Sequence, residues 1–266
     1  MNPTQTVRAL QHREGTAREV EDAVVVEEPL EIRVNGCPFS ATMRTPQSDE
    51  TDRFLTLGLL LAEGIISSYD DVIEVKISAH CRDFNDSLTN LADAILADEV
   101  PTTSDKWARG IISNSSCGLC GHASVEALSA QITPLTPSPL NLDLLRQLPE
   151  KMRAKQTIFS QTGGLHAAAI FNQNGELLTC FEDIGRHNAT DKAIGYCLQN
   201  NQLFSADHLT LLVSGRASFE IIQKALRAQI TTVAAISAAS SLAVDLSKQN
   251  NLNLVGFLRE RGLTVY

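Results

Sequence analysis

The sequence predicts an α/β fold in which helices cover both faces of a mostly parallel β-sheet. From His166 onward, short apolar segments alternate with longer segments of helical periodicity, as they do in layered α/β proteins. Two Asn-Gly pairs, at 35–36 and 174–175, lie between alternating apolar and polar residues and predict two β-hairpins. The first hairpin indicates that a smaller N-terminal α+β part precedes the α/β part.

The N-terminal part is predicted to contain a tail, a hairpin and a helix. Residues 1–22 are polar and charged without a sustained period, so we expect a flexible tail there. The hairpin spans about 23–45, and a helix over about 49–66 follows because apolar residues recur there at helical spacing. Residues 72–78 read as a strand, whereas 87–100 fit either a helix by propensity or a second strand by context.

The C-terminal part follows three prolines between 134 and 139, which forbid regular structure and indicate a domain boundary. We therefore divide the chain into the tail, an N-terminal α+β part over 23–133 and a C-terminal α/β part over 134–266. The predicted elements of the C-terminal part are a helix over 141–154, the hairpin over 166–182, a helix over 188–199, a strand over 209–214, a helix over 218–229, a strand over 231–237, a helix over 240–248 and a strand over 253–258.

Composition excludes several classes of function. The chain has 22 Lys and Arg against 31 Asp and Glu, and its net charge of -9 is not that of a nucleic-acid-binding protein. No apolar run is long enough for a membrane span, and the N-terminus lacks the apolar segment of a secretory signal. We therefore expect a cytoplasmic protein that binds neither nucleic acid nor membrane.

The cysteines indicate thiol chemistry at one place. Six cysteines are too few for a disulfide scaffold, and only Cys117 and Cys120 are closely spaced, in a Gly-rich segment. A helix that begins near Cys120 would lower the pKa of a thiol there and supply a reactive thiolate. The alternatives are inert packing and a zinc site, whose ligands would have to come from His80, Cys81, His122 and His166. Two other cysteines, Cys180 and Cys197, read as small core residues.

Charged and polar residues are concentrated where strands are predicted to end, which is where α/β sheets bind ligands. In the segment 182–192, Arg186 and Lys192 could hold a phosphate and His187 could move a proton. The alternative is that Asp183 and Asn188 simply cap the following helix.

Three further segments of the C-terminal part have the pattern of ligand-binding turns. Residues 214–218 form a Ser-Gly-Arg turn before a helix, which suits an anion, with Arg216 as an added donor. The glycines before His166 allow backbone to approach a ligand closely, although a buried His166 is the alternative. Residues 256–262 combine an aromatic ring with two arginines, which suits a base and a phosphate; the alternative is a charged turn.

Taken together, the segments CGLCGH, TGGLHAAAIF, EDIGRHNATDKAIG, LLVSGRASFEIIQKA and GFLRERGLTVY resemble the FdhD family, the formate dehydrogenase accessory sulfurtransferases. The resemblance runs from about Val24 to the C-terminus in the same motif order. It implies a three-layer sandwich similar to that of the cytidine deaminases. The zinc signature of the deaminases is absent from this sequence, so the resemblance extends to the scaffold and not to deamination.

The resemblance also implies a function and a set of site residues. The family accepts sulfur from a cysteine desulfurase as a persulfide and passes it to the molybdenum cofactor, bis-molybdopterin guanine dinucleotide, for formate dehydrogenase. The persulfide cysteine matches Cys117, and Cys120 is the neighbouring thiol that relays or releases the sulfur. A homodimer is implied as well, together with GDP-like ligands that mimic the cofactor. The cofactor-binding stretch matches Phe257, Leu258, Arg259, Glu260, Arg261 and Gly262, to within a residue or two.

Our own reading of the residues adds Arg216, Arg186 and His166 to that pocket and keeps other functions open. One alternative is a binding and delivery protein for the cofactor whose cysteines are structural or hold zinc. Another is a thiol-disulfide oxidoreductase, which is disfavoured because no long regular helix of a thioredoxin-type unit follows the two cysteines. No resident metal is expected in the persulfide reading.

Overall fold

The computed structural model describes residues 1–82, 88–100, 132–204 and 208–266. Within these ranges the chain forms a two-stranded, a four-stranded and a six-stranded sheet. The strands are β1 (Thr4–Arg13), β2 (Thr16–Val25), β3 (Glu28–Val34), β4 (Cys37–Arg44), β5 (Val72–Arg82), β6 (Leu88–Leu96), β7 (His166–Phe171), β8 (Leu177–Asp183), β9 (Thr210–Val213), β10 (Thr232–Ala235), β11 (Asn253–Arg259) and β12 (Gly262–Val265). The helices are α1 (Asp49–Ala62), α2 (Leu142–Leu145), α3 (Leu148–Arg153), α4 (Thr157–Thr162), α5 (Arg186–Gln199), α6 (Phe219–Arg227) and α7 (Ser241–Gln249), with a short 3-10 helix at Tyr69–Asp71.

The N-terminal residues form a regular hairpin, so the expectation that 1–22 lack regular structure is wrong. Strands β1 and β2 pair antiparallel along their whole length, and Glu14 and Gly15 form the turn with φ angles of 49° and 78°. Such left-handed turn residues match the twist of a hairpin. Opposite charges across the strands, such as Arg8 opposite Glu21, support the pairing where apolar residues are few.

The four-stranded sheet has the order β4-β3-β6-β5 and confirms the hairpin at Asn35. It also decides the open alternative at 87–100, because β6 is a strand parallel to β3 and antiparallel to β5. Residues Asn90, Ala92, Ala94 and Leu96 are buried while the residues between them are less so, which is the alternation of a half-buried strand. Helix α1 is capped by Ser48, whose hydroxyl accepts from the N–H of Thr51.

The six-stranded sheet has the order β12-β11-β10-β9-β7-β8 and is mixed, so the prediction of a mostly parallel sheet is wrong. Strands β9, β10 and β11 are parallel, whereas β7 runs antiparallel to both β8 and β9, and β12 runs antiparallel to β11. Tight hairpins join β7 to β8 and β11 to β12, and a tight hairpin can only join antiparallel strands. The antiparallel pairing of β7 with β9, by contrast, forms between strands far apart in the sequence. The specific likeness to the cytidine deaminase sandwich stays a prediction.

Helices cover both faces of the six-stranded sheet, as expected. One face packs through residues such as Ile170 and Leu211 onto a large core that includes α1, α5, α6 and α7. The other face packs through Phe171 and Leu212 onto α2 and α3. These two short helices replace the single helix expected over 141–154, and a proline lies at the start of α3. The large core contains apolar residues from both predicted parts, and the domain division itself stays a prediction.

The core places the carboxyl ends of four strands at one edge of the sheet. Strands β9, β10 and β11 are parallel, and β8 runs in the same direction because β7 is antiparallel to both β8 and β9. Helices α5, α6 and α7 begin shortly after β8, β9 and β10, respectively. Loops and helix N-termini therefore gather at this edge, hereafter the carboxyl edge.

Candidate functional site

The carboxyl edge brings together the charged and Ser-containing turns that the sequence indicated. Loop 214–218 follows β9 and lies beside loop 236–240, which follows β10. The two loops are joined by a hydrogen bond of 3.0 Å from the N–H of Ala217 to the carbonyl of Ala238 and by a bridge between Ala217 and Ala239. Loop 236–240 was not among the turns predicted from the sequence, although the pattern Ile-Ser-Ala-Ala-Ser before a helix is similar to the Ser-Gly-Arg-Ala-Ser turn.

The three helices that begin at the edge differ in whether a side chain binds their first backbone N–H groups. Gly185, the N-cap residue of α5, has no side chain, and the N-cap Ser218 makes no capping hydrogen bond at α6. At the start of α6 the carboxylate of Glu220 accepts from its own backbone N–H instead. By contrast, the hydroxyl of Ser240 accepts from the N–H of Ala243 at the start of α7. The first amides of a helix carry partial positive charge, so the start of α5 favours an anion.

His166, Arg186 and Gly215 lie together at this edge. A Cβ added to Gly215 would lie 3.5 Å from Nδ1 of His166 and 3.6 Å from Cδ of Arg186. His166 opens β7 directly opposite Asp183, the last residue of β8. Burial lowers the pKa of His166, and the neighbouring Arg186 guanidinium lowers it further. His166 is therefore neutral at pH 7.

His187 is held in an unusual environment at the start of α5. Both ring nitrogens are buried and have no hydrogen-bond partner among the residues that the structure describes. Burial, followed by the positive charges of Lys224 and Arg186, lowers the pKa of His187 to about 3. Nε of Arg186 is likewise buried and without a partner in the described part of the chain. The ring is therefore neutral, and the hydrogen-bonding capacity of these buried atoms is unused within the described ranges.

Lys192 is not available for a ligand, which corrects its predicted role in holding phosphate. Its Nζ lies 2.6 Å from Oδ2 of Asp183, and both side chains are fully buried. The same carboxylate accepts from the N–H of Thr45 at 3.2 Å and, through Oδ1, from the N–H of Gly185 at 2.9 Å. Asp183 and Lys192 thus form a buried ion pair beneath the carboxyl edge. Through Asp183 this pair attaches the segment after β4 to the start of α5.

Asp183 and Asn188 do not act as the N-cap of α5, which was the alternative considered from the sequence. The N-cap of α5 is Gly185, and Nδ2 of Asn188 donates to Oδ1 of Asp183 at 3.0 Å and to the carbonyl of Met43 at 2.8 Å. The two side chains therefore hold the turn after β8 against β4. A second buried pair, Lys224 with Asp191 at 2.6 Å, attaches α6 to α5.

Glu182 has a role that the sequence does not indicate. Its carboxylate accepts from the N–H groups of Ile158 and Phe159, at 2.9 and 2.7 Å. It therefore binds the first amides of α4 from another element, and no local pattern in the sequence announces such a contact.

The glycines before His166 serve packing. Gly163 ends α4 with a φ of 66°, and a Cβ on Gly164 would lie 2.9 Å from Cγ2 of Val25 in the N-terminal hairpin. The close approach predicted there is therefore to β2.

The predicted cofactor-binding stretch, residues 257–262, lies at the same edge beside loop 236–240. Phe257 is 50% exposed, with a φ of 52°, and its N–H donates to the carbonyl of Ser237 at 3.0 Å. Nη1 of Arg259 donates to the carbonyl of Ile236 at 2.6 Å, whereas the side chain of Leu258 is buried in the core. Glu260 and Arg261 are exposed, and Gly262 opens β12. The exposed ring and arginine side chains could contact a nucleotide, and Arg216 is exposed in the neighbouring loop.

The predicted persulfide residues, Cys117 and Cys120, lie outside the described residues. Of the zinc alternative, only His166 has a described side chain, so that alternative stays a prediction. Burial raises the pKa of the thiols of Cys180 and Cys197 to about 12, which suits unreactive packing. In the described ranges, no group of three or more His, Cys, Asp or Glu side chains could hold a metal ion. No helix in those ranges is long and apolar enough to cross a membrane.

The chain matches the family model described as the FdhD/NarQ family over residues 25–266. It is 43% identical over 267 residues to the sulfur carrier protein FdhD of Streptomyces avermitilis, covering 99% of this chain and 93% of that protein. It is 44% identical over 252 residues to the protein of that name from Mycobacterium tuberculosis, covering 92% and 90%, respectively. The relative from Saccharolobus solfataricus is 36% identical over 257 residues, covering 96% and 92%.

The fold is similar to a crystal structure of a protein described as a formate dehydrogenase accessory protein from Desulfotalea psychrophila. The TM-score is 0.76 at 21% identity, and the match covers 99% of this chain and 96% of that one. With the family match over nearly the whole length, these comparisons show that the chain belongs to the FdhD/NarQ family.

Proposed function

We propose that this chain is a sulfur carrier that accepts sulfur on Cys117 from a cysteine desulfurase and passes it to bis-molybdopterin guanine dinucleotide, the molybdenum cofactor of formate dehydrogenase. The relatives named sulfur carrier protein FdhD support sulfur transfer. The carboxyl edge supports the binding of an anionic nucleotide by a chain with a net charge of -9, because α5 begins there without a side-chain cap, beside exposed arginines. The observation that carries the nucleotide part is the placement of Phe257 beside Arg259 and Arg261 at that edge.

The first step is thiol exchange. The thiolate of Cys117 attacks the outer sulfur of the donor's cysteine persulfide, an S–S bond breaks, and the donor cysteine leaves as a thiolate. Cys117 now carries the persulfide, with no net oxidation or reduction. A thiol of lowered pKa suits this role.

The second step releases the sulfur. The thiolate of Cys120 attacks Sγ of Cys117, the persulfide bond breaks, and sulfide leaves toward the cofactor. The electrons that reduce the sulfur come from the two cysteines, which end as a disulfide. A dithiol reductant then restores both thiols for another cycle. The reaction would take place in the cytoplasm, and the family resemblance implies a homodimer.

The carboxyl edge would hold the cofactor through its guanine and phosphates. Phe257 offers an aromatic face for the base, and Arg261 offers a charged donor for phosphate. The guanidinium of Arg259 fixes the segment by its bond to Ile236 and remains exposed to a ligand.

The sulfur part is tested by formate dehydrogenase maturation in cells whose own carrier has been deleted. Cys117→Ala should abolish maturation while the protein accumulates as before, and Cys37→Ala, at an exposed cysteine in the first hairpin, should mature the enzyme normally. Normal maturation by Cys117→Ala would contradict the proposal and favour the alternative of a delivery protein without a persulfide.

The nucleotide part is tested by GDP binding with a matched pair of exposed phenylalanines. Phe257 is 50% exposed with a φ of 52°, and Phe204 is 45% exposed with a φ of 62°. Phe257→Ala should weaken GDP binding by about tenfold, since base stacking on an aromatic ring contributes about 1–3 kcal/mol. Phe204→Ala should bind GDP like the unmodified chain. Equal effects of the two substitutions would contradict the assignment of Phe257.

A further inference from the structure

The carboxyl edge contains a group of buried polar atoms that no protein contact explains. Nε of Arg186 and both ring nitrogens of His187 are buried without a hydrogen-bond partner among the described residues. Buried polar atoms are almost always paired, so an unpaired group of them in one place usually serves a ligand or a reaction. The residues are adjacent in sequence and open α5, whose N-cap Gly185 supplies no side-chain acceptor.

Space for a small group lies at Gly215, beside Arg186 and His166. A Cβ added to Gly215 would lie 3.5 Å from Nδ1 of His166 and 3.6 Å from Cδ of Arg186. Because glycine has no Cβ, this position is empty of side chain. Gly215 belongs to loop 214–218, and Ser218 begins α6 without a side-chain cap. A group placed over Gly215 would therefore meet an imidazole, a guanidinium and the N-terminal end of α5.

The unpaired donors around this space suit an oxyanion. Arg186 and Lys224 face His187 with positive charge, while Glu220 faces it with a carboxylate and His166 with a second imidazole. The ammonium of Lys224 is bound by Asp191 at 2.6 Å. In the described part of this cluster, Arg186 is therefore the cation that has a buried N–H group without a hydrogen-bond partner. Each neutral imidazole has one N–H donor, and the helix amides add further donors.

We propose that Arg186, His187, His166 and the turn at Gly215 form a diphosphate-binding subsite at the carboxyl edge. It would hold the pyrophosphate of the guanine dinucleotide, while the segment around Phe257 contacts the base. This inference rests on the cofactor-binding part of the proposed function and is independent of the sulfur-transfer part. The group that the subsite would bind is a diphosphate, either free as pyrophosphate or within a nucleotide.

The test is isothermal titration calorimetry of the full chain with GDP, guanosine and inorganic pyrophosphate. The unmodified chain should bind GDP more tightly than guanosine, and pyrophosphate should compete with GDP. Arg186→Gln should weaken GDP and pyrophosphate binding by about tenfold or more, because it removes a charge-assisted hydrogen bond to the diphosphate. Guanosine binding should not change. Arg146→Gln, at a partly exposed arginine of the face covered by α2 and α3, is the matched control and should change nothing.

Gly215→Ala gives a second, geometric test. Its methyl group would fill the space between His166 and Arg186 at ordinary contact distances, so the variant should fold, as a thermal melt will confirm. It should nevertheless weaken pyrophosphate and GDP binding at least tenfold. His187→Leu should weaken both in the same direction.

Unchanged affinities in Arg186→Gln and Gly215→Ala would overturn the subsite. Equal affinities of the unmodified chain for GDP and guanosine would also overturn it. Absence of a persulfide on Cys117 would contradict the proposed sulfur transfer and leave these binding results intact, so the two failures are distinguishable.

Discussion

Nζ of Lys192 lies 2.6 Å from Oδ2 of Asp183, and both side chains are completely buried beneath the carboxyl edge. Asp183 closes β8 and Lys192 lies on α5, so the pair joins the sheet to the helix that presents Arg186 and His187. The carboxylate also accepts from the N–H of Thr45, which attaches the chain after β4. The site therefore depends on a charge pair that contacts no ligand itself.

Removing one partner of this pair should be costly. Asp183→Asn should lower the free energy of unfolding by about 3–5 kcal/mol, because it leaves a buried ammonium group without its counter-charge. The double variant Asp183→Asn/Lys192→Met should recover part of the loss. Urea denaturation measures both, with Asp143→Asn as the control, since Asp143 pairs with Arg146 in an exposed position and should matter by less than about 1 kcal/mol. A loss as small for Asp183→Asn as for the control would show that the pair is dispensable.

Two glycines should be required where α1 crosses α5. A Cβ on Gly58 would overlap the carbonyl oxygen of Asp191, and a Cβ on Gly195 would overlap that of Phe54. Each Gly→Ala substitution there should cost at least about 2 kcal/mol of unfolding free energy, because two backbones would have to separate. Gly262→Ala is the control, since its Cβ would meet nothing within 4 Å. Thermal or urea denaturation checks the difference, and equal stabilities of Gly195→Ala and Gly262→Ala would refute the close crossing.

The stability of the fold should depend on pH through His187. Its pKa falls from an ordinary 6.5 to about 3 in the folded protein, first because it is buried and then because Lys224 and Arg186 lie nearby. Below pH 6.5 the unfolded chain therefore binds a proton at His187 that the folded chain does not. The free energy of unfolding is consequently highest above pH 6.5 and decreases as the pH falls toward 3. The slope is at most about 1.4 kcal/mol per pH unit.

His187→Leu should remove that slope. Urea denaturation between pH 7 and pH 4 should show the unmodified chain losing stability faster than the variant on acidification. His12→Gln, at an exposed histidine of β1, should keep the slope of the unmodified chain. A constant stability difference between the unmodified chain and His187→Leu across the range would mean that His187 does not titrate as inferred.

Local patterns were sufficient to predict most of the elements. The Asn-Gly turns at Asn35 and Asn174 and the periodicity of α1 and α5 to α7 depend on neighbouring residues, and the structure confirms them. The direction of strands in a sheet depends on distant pairing, which explains why the mixed sheet was predicted as mostly parallel. The N-terminal hairpin was missed because its pairing relies on a Glu-Gly turn and charge pairs and not on apolar alternation.

The sequence also predicted part of the candidate site. The turns around Arg186 and Gly215 could be recognised because helix starts after strands have a local signature. Two facts could not be obtained from spacing: Lys192 is buried by an ion pair, and loop 236–240 supports Phe257 and Arg259. Both are contacts between elements far apart in the sequence.

The most direct test of the proposed function is mass spectrometry of the chain after incubation with a cysteine desulfurase and cysteine. Intact-protein and peptide spectra of the unmodified chain should be compared with those of Cys117→Ala and Cys120→Ala. We predict one added sulfur on the peptide that contains Cys117 and Cys120, absent from the Cys117→Ala variant. No added sulfur on the unmodified chain, with tight GDP binding or stoichiometric zinc, would contradict sulfur transfer and favour a delivery protein.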